Sequence, residues 1–190
     1  RLEQIAKSHP NVSELQMLAS ARLASSGRDA ASKQAIDRLQ ALAVASGKSL
    51  DRANLALAQA NIRSARNDTL GAMEVIRSAM LDLPDQQFRL AKAGADAALQ
   101  AKQPKLAYEL LREVPESQIN IQALFTLSVV ANALQAADNS QIPNFDKDLN
   151  DWTDKLRSIE GEDGTHWRYV KAQRLLSSSS RKDTNRQDQL

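Results

Sequence analysis

The residues of this chain that could carry chemistry are few, and they do not converge. There are two histidines and no cysteine. Without cysteine there is no thiolate nucleophile and no disulfide framework. His9 stands in a turn beside Pro10, and His166 opens a helix beside Trp167. A zinc protease needs two histidines on one helix face with a glutamate between them, and neither histidine here has that spacing. Two carboxylate sets could be imagined as acid–base groups or calcium ligands: Asp146, Asp148 and Asp151, and Glu160, Glu162 and Asp163. The first alternates along a helix made amphipathic by Phe145, Leu149, Trp152 and Leu156, and it lacks the glycine and loop register of an EF-hand. The second falls at a helix start, where carboxylates meet the positive end of the backbone dipole. Gly161 and Gly164 follow no strand and precede no Gly-Lys-Ser/Thr, so they do not form a phosphate loop. No serine sits in a nucleophile elbow, and Ser177–Ser180 read as linker. This inventory points away from an enzyme, and no cofactor or metal site is expected. Trp152 and Trp167, with Tyr169, are read as core, the two tryptophans packed between the last two helix hairpins.

Composition narrows the partners. The formal net charge is +2, too small to supply a global field for DNA or RNA. Charge is segmented: residues 1–66 carry ten Lys/Arg against five Asp/Glu, and residues 138–163 carry three against eight. Such runs mark solvated helix faces, or in the second case an acidic patch for a basic partner. No apolar run approaches the roughly 20 residues of a membrane span, so no membrane contact is expected within this stretch. The chain starts without methionine and in mid-pattern, as a piece of a longer protein would, and its compartment, cytoplasm or bacterial cell envelope, stays open.

What must position these residues is helical. The chain has 30 alanines, six glycines and five prolines. Alanine is the best helix former and lets helices approach closely. A β-sandwich or barrel would need more turn residues at short spacing. Arg1–Ser8 reads as the end of a helix, broken at His9-Pro10-Asn11. Helices are then predicted over about Val12 to Ser25, Asp29 to Ser46, Leu50 to Ala65 with Ser49 as cap, and Thr69 to Leu83. Further helices are predicted over Asp85 to Lys102, Pro104 to Val114, Ser117 to Ala137, Asn144 to Glu160 and Thr165 to Leu176. Residues 177–190 form a polar tail or a truncated linker.

The helices repeat. Aligned on the turn after each first helix, alanine falls at Ala19, Ala60, Ala95, Ala131 and Ala172, in steps of 41, 35, 36 and 41 residues. A second alanine lies 12 residues on in three units, at Ala31, Ala72 and Ala107. Small residues at both places let two helix axes cross closely. In a chain this rich in alanine, the alternative is a plain helical bundle with chance periodicity.

The register resembles the tetratricopeptide repeat, whose period is about 34 residues with small residues at two fixed places and a proline after them. Lys7-Ser8-His9-Pro10-Asn11 resembles the turn between such repeats, and Ser26-Gly27-Arg28-Asp29-Ala30-Ala31 the turn within one. Pro84 lies 12 residues beyond Ala72, where the family's proline is expected. The resemblance covers roughly residues 1–176 and is closest over Val12–Val114. It departs from the family at Leu15, Ala56 and Ala91, where Trp or Tyr is typical, in two long steps, and in an insertion around Asn139–Phe145.

The resemblance implies an all-α fold, an α-α superhelix of about four antiparallel helix pairs plus a terminal helix over residues 1–176. It also implies a concave face, lined by the first helices, that holds a protein or peptide segment. The residues facing inward would be Ser13, Gln16 and Ser20, then Asn54, Leu57 and Asn61, then Arg89, Lys92 and Asp96. Of these, Gln16, Ser20, Asn54, Asn61, Arg89, Lys92 and Asp96 are the candidate protein-binding residues, since amides can pair with a peptide backbone and cations with a carboxylate. The carboxylate clamp of chaperone-binding relatives is not matched, because Gln16 and Ser20 replace its Lys and Asn. The expected function is a non-catalytic interaction module, a scaffold or adaptor within a larger bacterial-type protein. The alternative is a structural spacer or self-association domain, which would form a homo-oligomer.

Overall fold

The computed structural model describes residues 2–115, 119–136 and 145–187. Every regular element among them is helical, so the fold is all-α. The chain divides into two compact units, Arg1–Ala101 and Lys102–Leu190.

The first unit holds α1 (Leu2–Ser8), α2 (Ser13–Ser25), α3 (Asp29–Ser46), α4 (Ser49–Ala65), α5 (Thr69–Asp82) and α6 (Gln87–Gln100). Within it, α2 packs on α3 and α4, and α4 packs on α5 and α6. Each second helix also rests on the first helix of the next pair, α3 on α4 and α5 on α6. The first helices α2, α4 and α6 thus form one layer, and α3 and α5 a second. The alanine register explains the close approach: Ala19, Ala60, Ala72 and Ala95 are all buried. Leu39, Ile76 and Leu90 fill the remaining core, each contributing about 1.5–3 kcal/mol by leaving water.

The turn after a first helix recurs in form but not in residue. Gly27 adopts φ +72°, with its N–H on the carbonyl of Ala24 (3.0 Å) and the N–H of Arg28 on that of Leu23 (2.9 Å). Asn67 adopts φ +62°, and the N–H groups of Asn67 and Asp68 bond the carbonyls of Ser64 (2.9 Å) and Arg63 (3.0 Å). Both are Schellman motifs, which satisfy carbonyls that a helix end leaves open. After α6 the left-handed position falls to Lys102, at φ +58°.

Two local expectations are corrected. Pro84 opens a 3-10 turn over Pro84–Gln86, whose last residue departs from helical geometry (φ −111°, ψ 2°), so α6 begins at Gln87 and not at Asp85. Ser49 does not cap α4: it is the helix's first residue, and its hydroxyl donates to Asp85 Oδ2 at 2.5 Å.

The second unit holds α7 (Pro104–Arg112), α8 (Ile121–Ala136), α9 (Phe145–Glu160) and α10 (Thr165–Gln187). Helix α8 has no charged residue, and it packs on α7, α9 and α10. Leu124, Leu127, Val130 and Leu134 are its large buried apolar side chains, joined by Leu149 and Leu156 from α9 and Val170 from α10. It starts at Ile121, later than expected, because the Asn120 side chain accepts the Ala123 N–H (2.9 Å) and so caps it there. Ser117 and the 139–144 part of the expected insertion lie outside the described residues. The alanine register holds at the buried Ala131 and fails at Ala172, which is exposed on α10. Helix α10 runs through Gln187 where a polar tail was expected from Ser177. Serine in a helix costs only a few tenths of a kcal/mol each, and Arg and Lys are good helix formers.

Candidate functional site

The residues expected to face inward cluster, but much of the cluster is turned on itself. Arg89 on α6 donates from Nη2 to Asn54 Oδ1 on α4 (2.5 Å), and Asn54 Nδ2 donates to Ser13 Oγ on α2 (2.9 Å). The Ser13 hydroxyl donates in turn to Asp51 Oδ1 (2.5 Å), whose other oxygen accepts from Ser46 Oγ (2.6 Å). The Ser13 bond, and after it the Ser46 bond, hold the Asp51 carboxyl below its ordinary pKa. A second link runs from α4 to the 3-10 turn before α6, where the Ser49 hydroxyl donates to Asp85 and has the same effect on its pKa.

Asn54 is fully buried and uses both ends of its amide in this chain. Gln16 is also fully buried, and its Nε2 donates to the carbonyls of Ala6 (2.7 Å) and His9 (3.2 Å), tying α1 to α2. Ser20 is buried and donates to the Met17 carbonyl (2.7 Å). These three are therefore corrected: small neighbours let the first helices close over them, so they do not present a surface. Lys92 pairs with Asp96 four residues on (2.8 Å) at the surface. Asn61 is exposed.

Asn61 belongs to an open groove of about 550 Å³ across the C-terminal ends of the same three helices. Leu18, Ala21, Arg22 and Ser25 come from α2, Asn61, Ser64 and Ala65 from α4, and Ala97 and Gln100 from α6. Asn67, Thr69 and Ala101 complete it, and among the described residues no carboxylate lines it. The amides of Asn61 and Gln100 and the guanidinium of Arg22 have no partner among the described residues. Leu18 is 51% exposed, and with four alanines it makes an apolar floor. Leu18 and Arg22 lie four residues apart on α2 and so share one side of it. An arginine on that side is the sequence signal that it meets something other than core.

A larger cleft, about 670 Å³, lies among α3, α4 and α5. The charged residues of its rim are already matched: Arg66 pairs with Asp29 (3.0 Å), Arg63 with Asp68 (3.2 Å) and Lys33 with Asp37 (3.0 Å). Unpartnered polar groups above an apolar floor make the smaller groove the better candidate for recognition.

The chemistry-bearing residues have local duties. His9 Nδ1 lies 3.1 Å from the Ile5 carbonyl at the end of α1. Glu160, the last residue of α9, accepts the N–H groups of His166 (3.1 Å) and Trp167 (3.4 Å) and also binds His166 Nδ1. It thereby caps α10, as expected of carboxylates at that helix start, and the His166 bond lowers its pKa. Glu162 pairs with Arg157 and Asp163 with Arg168. Asp148 accepts from Tyr108 Oη (2.8 Å) and pairs with Arg112 (3.4 Å). Burial, then the Asp148 carboxylate, pushes the Tyr108 pKa far up. Trp152 stacks obliquely on Tyr108 at 5.8 Å. Trp167 and Tyr169 are not in the core: Tyr169 is exposed, and Trp167 sits half-buried at the α9–α10 turn with Arg157 (5.2 Å), Arg168 (5.6 Å) and Lys171 (6.0 Å) around its ring. Among the described residues, no three His, Asp or Glu side chains are grouped to hold a metal ion, and no helix is long and apolar enough to cross a membrane.

No protein-family model matches the sequence, and no curated protein or solved structure is significantly similar to it.

Proposed function

We propose that this chain is a non-catalytic protein–protein interaction module of divergent tetratricopeptide type, holding an extended partner segment across α2, α4 and α6. The observation that carries the reading is the groove at their C-terminal ends, with Asn61, Gln100 and Arg22 unpartnered above an apolar floor. Amides suit a peptide main chain, a guanidinium suits a carboxylate, and Leu18 with the alanines suits an apolar side chain. The layering of first helices and the three left-handed turns after them support the repeat assignment. The non-catalytic reading rests on the capping and pairing duties of His9, His166 and the carboxylates.

The alternative, a spacer or self-association domain, is favoured by Val44, Leu70 and Leu81, large apolar residues that are 79%, 68% and 80% exposed on the second helices. Photo-crosslinking separates the two. A crosslinking residue at Leu18 or Asn61 should trap one defined partner in cells of the source, and Arg22→Ala should reduce the yield with helicity unchanged. The same residue at Val44 should trap little. Adducts between two copies of this chain, stronger from Val44 than from Leu18, would reverse the order of the two readings.

A further inference from the structure

Arg89 is a half-buried cation whose described partner is neutral, the Asn54 side-chain carbonyl. Its Nη1 is shielded from solvent without a hydrogen-bond partner, and no described carboxylate pairs with it. A guanidinium so placed calls for a counter-charge, because an uncompensated charge away from water is costly. The carboxylate at the end of its hydrogen-bond chain is Asp51, reached through Asn54 and Ser13. All three bonds run the same way: guanidinium to amide, amide to hydroxyl, hydroxyl to carboxylate. The amide and hydroxyl dipoles are therefore aligned between cation and anion, and aligned hydrogen bonds polarise one another.

We infer that Arg89 and Asp51 form a through-network ion pair, which ties α2, α4 and α6 into one cooperative block. In a helical repeat array each unit touches only its neighbours, and stability is close to a sum of nearest-neighbour terms. Here α4 stands between α2 and α6, so a chain from Arg89 to Ser13 adds a term that skips one helix. Asn54 is the residue through which that term passes.

A double-mutant cycle on the whole chain tests this, with Arg89→Met and Asp51→Asn read by urea unfolding. In about 1 M salt the Debye length is only about 3 Å, which removes direct long-range attraction between the two charges. The two substitutions should couple by about tenfold in the unfolding constant, where unconnected sites add. The coupling should vanish in an Asn54→Leu background. Should Asn54→Leu not fold, Ser13→Ala cuts the same chain one bond later. Amide exchange gives a second readout: Arg89→Met should lower protection in α2 as well as in α6. Single effects that add within about twofold, or loss of protection confined to α6, would overturn the inference.

Discussion

The two units solve the same packing problem with different materials. In Arg1–Ala101 the first helices meet through small residues, and α2 buries Ser13, Gln16 and Ser20 beside Ala19 and Leu23. The side chains of Ser13 and Gln16 reach across to α4 and α1, while Ser20 donates to the Met17 carbonyl of its own helix. In Lys102–Leu190 the helices gather on α8, which buries Leu124, Leu127, Val130 and Leu134. Its hydroxyls turn back on their own helix, Thr126 to the Gln122 carbonyl and Ser128 to the Leu124 carbonyl, both at 2.8 Å. Large apolar side chains interlock by shape and so set their own register. Small ones slide more easily, and directional bonds between helices then supply what shape does not. On this view unit 2 should be sensitive to lost volume, and unit 1 to lost hydrogen bonds and to charge.

The largest effect should come from volume. Leu124→Ala empties a fully buried site on α8 and should destabilise by about 2–5 kcal/mol. Denaturant unfolding followed by the fluorescence of Trp152 and Trp167, both in this unit, reads this directly. A cost within about 0.5 kcal/mol, as for a surface change, would mean that unit 2 is not built on α8.

A smaller effect should appear in acid. Asp51 is held below its ordinary carboxyl pKa of 3.8 chiefly by the Ser13 hydroxyl. A depressed native pKa means that the unfolded chain binds the proton first. The stabilisation is therefore complete well above pH 3.8 and is lost as pH falls through the native value. Ser13→Ala removes the largest cause, so the acid-unfolding midpoint of unit 1 should move to higher pH. Stability at neutral pH should also fall, by about 1–3 kcal/mol for a bond to a charged group. An acid limb that does not move would break the contrast with unit 2 at this point.

The helices were legible because alanine spacing, proline and glycine mark them directly, and α3 (Asp29–Ser46) and α5 (Thr69–Asp82) fall nearly where predicted. The face of the first helices was legible only as a set of positions. That Asn54 and Gln16 lie inside while Asn61 lies outside depends on how closely α2 and α4 approach, and no local pattern in one helix encodes that distance. Arg22 and Gln100 were missed as groove residues because each is an ordinary helix surface residue until three helix ends are brought together. The Glu160–His166 contact was missed because it spans a turn whose geometry depends on Gly161 at φ +76°.

The same limit applies to the turns, and it yields the smallest prediction. Gly27 announces its turn, Asn67 half announces it, and Lys102 gives no sign of it, yet all three take positive φ. Glycine enters this region without a Cβ clash, asparagine tolerates it, and a side chain such as lysine bears about 1–2 kcal/mol. Lys102 is exposed, so replacing it removes little packing. Lys102→Gly should relieve that strain but gives the unfolded chain more freedom, which opposes part of the gain. The net expectation is a stabilisation of about 0.5–1 kcal/mol, read as a higher urea midpoint with an unchanged slope. Asn67→Gly should gain less, because asparagine starts nearer to glycine. Gly27→Ala should lose stability, although a Cβ there would meet nothing within 4 Å, because the strain lies in the backbone itself. If Lys102→Gly destabilises instead, the left-handed turn after α6 does not form in solution, and the recurrence of one turn after three first helices ends at Asn67.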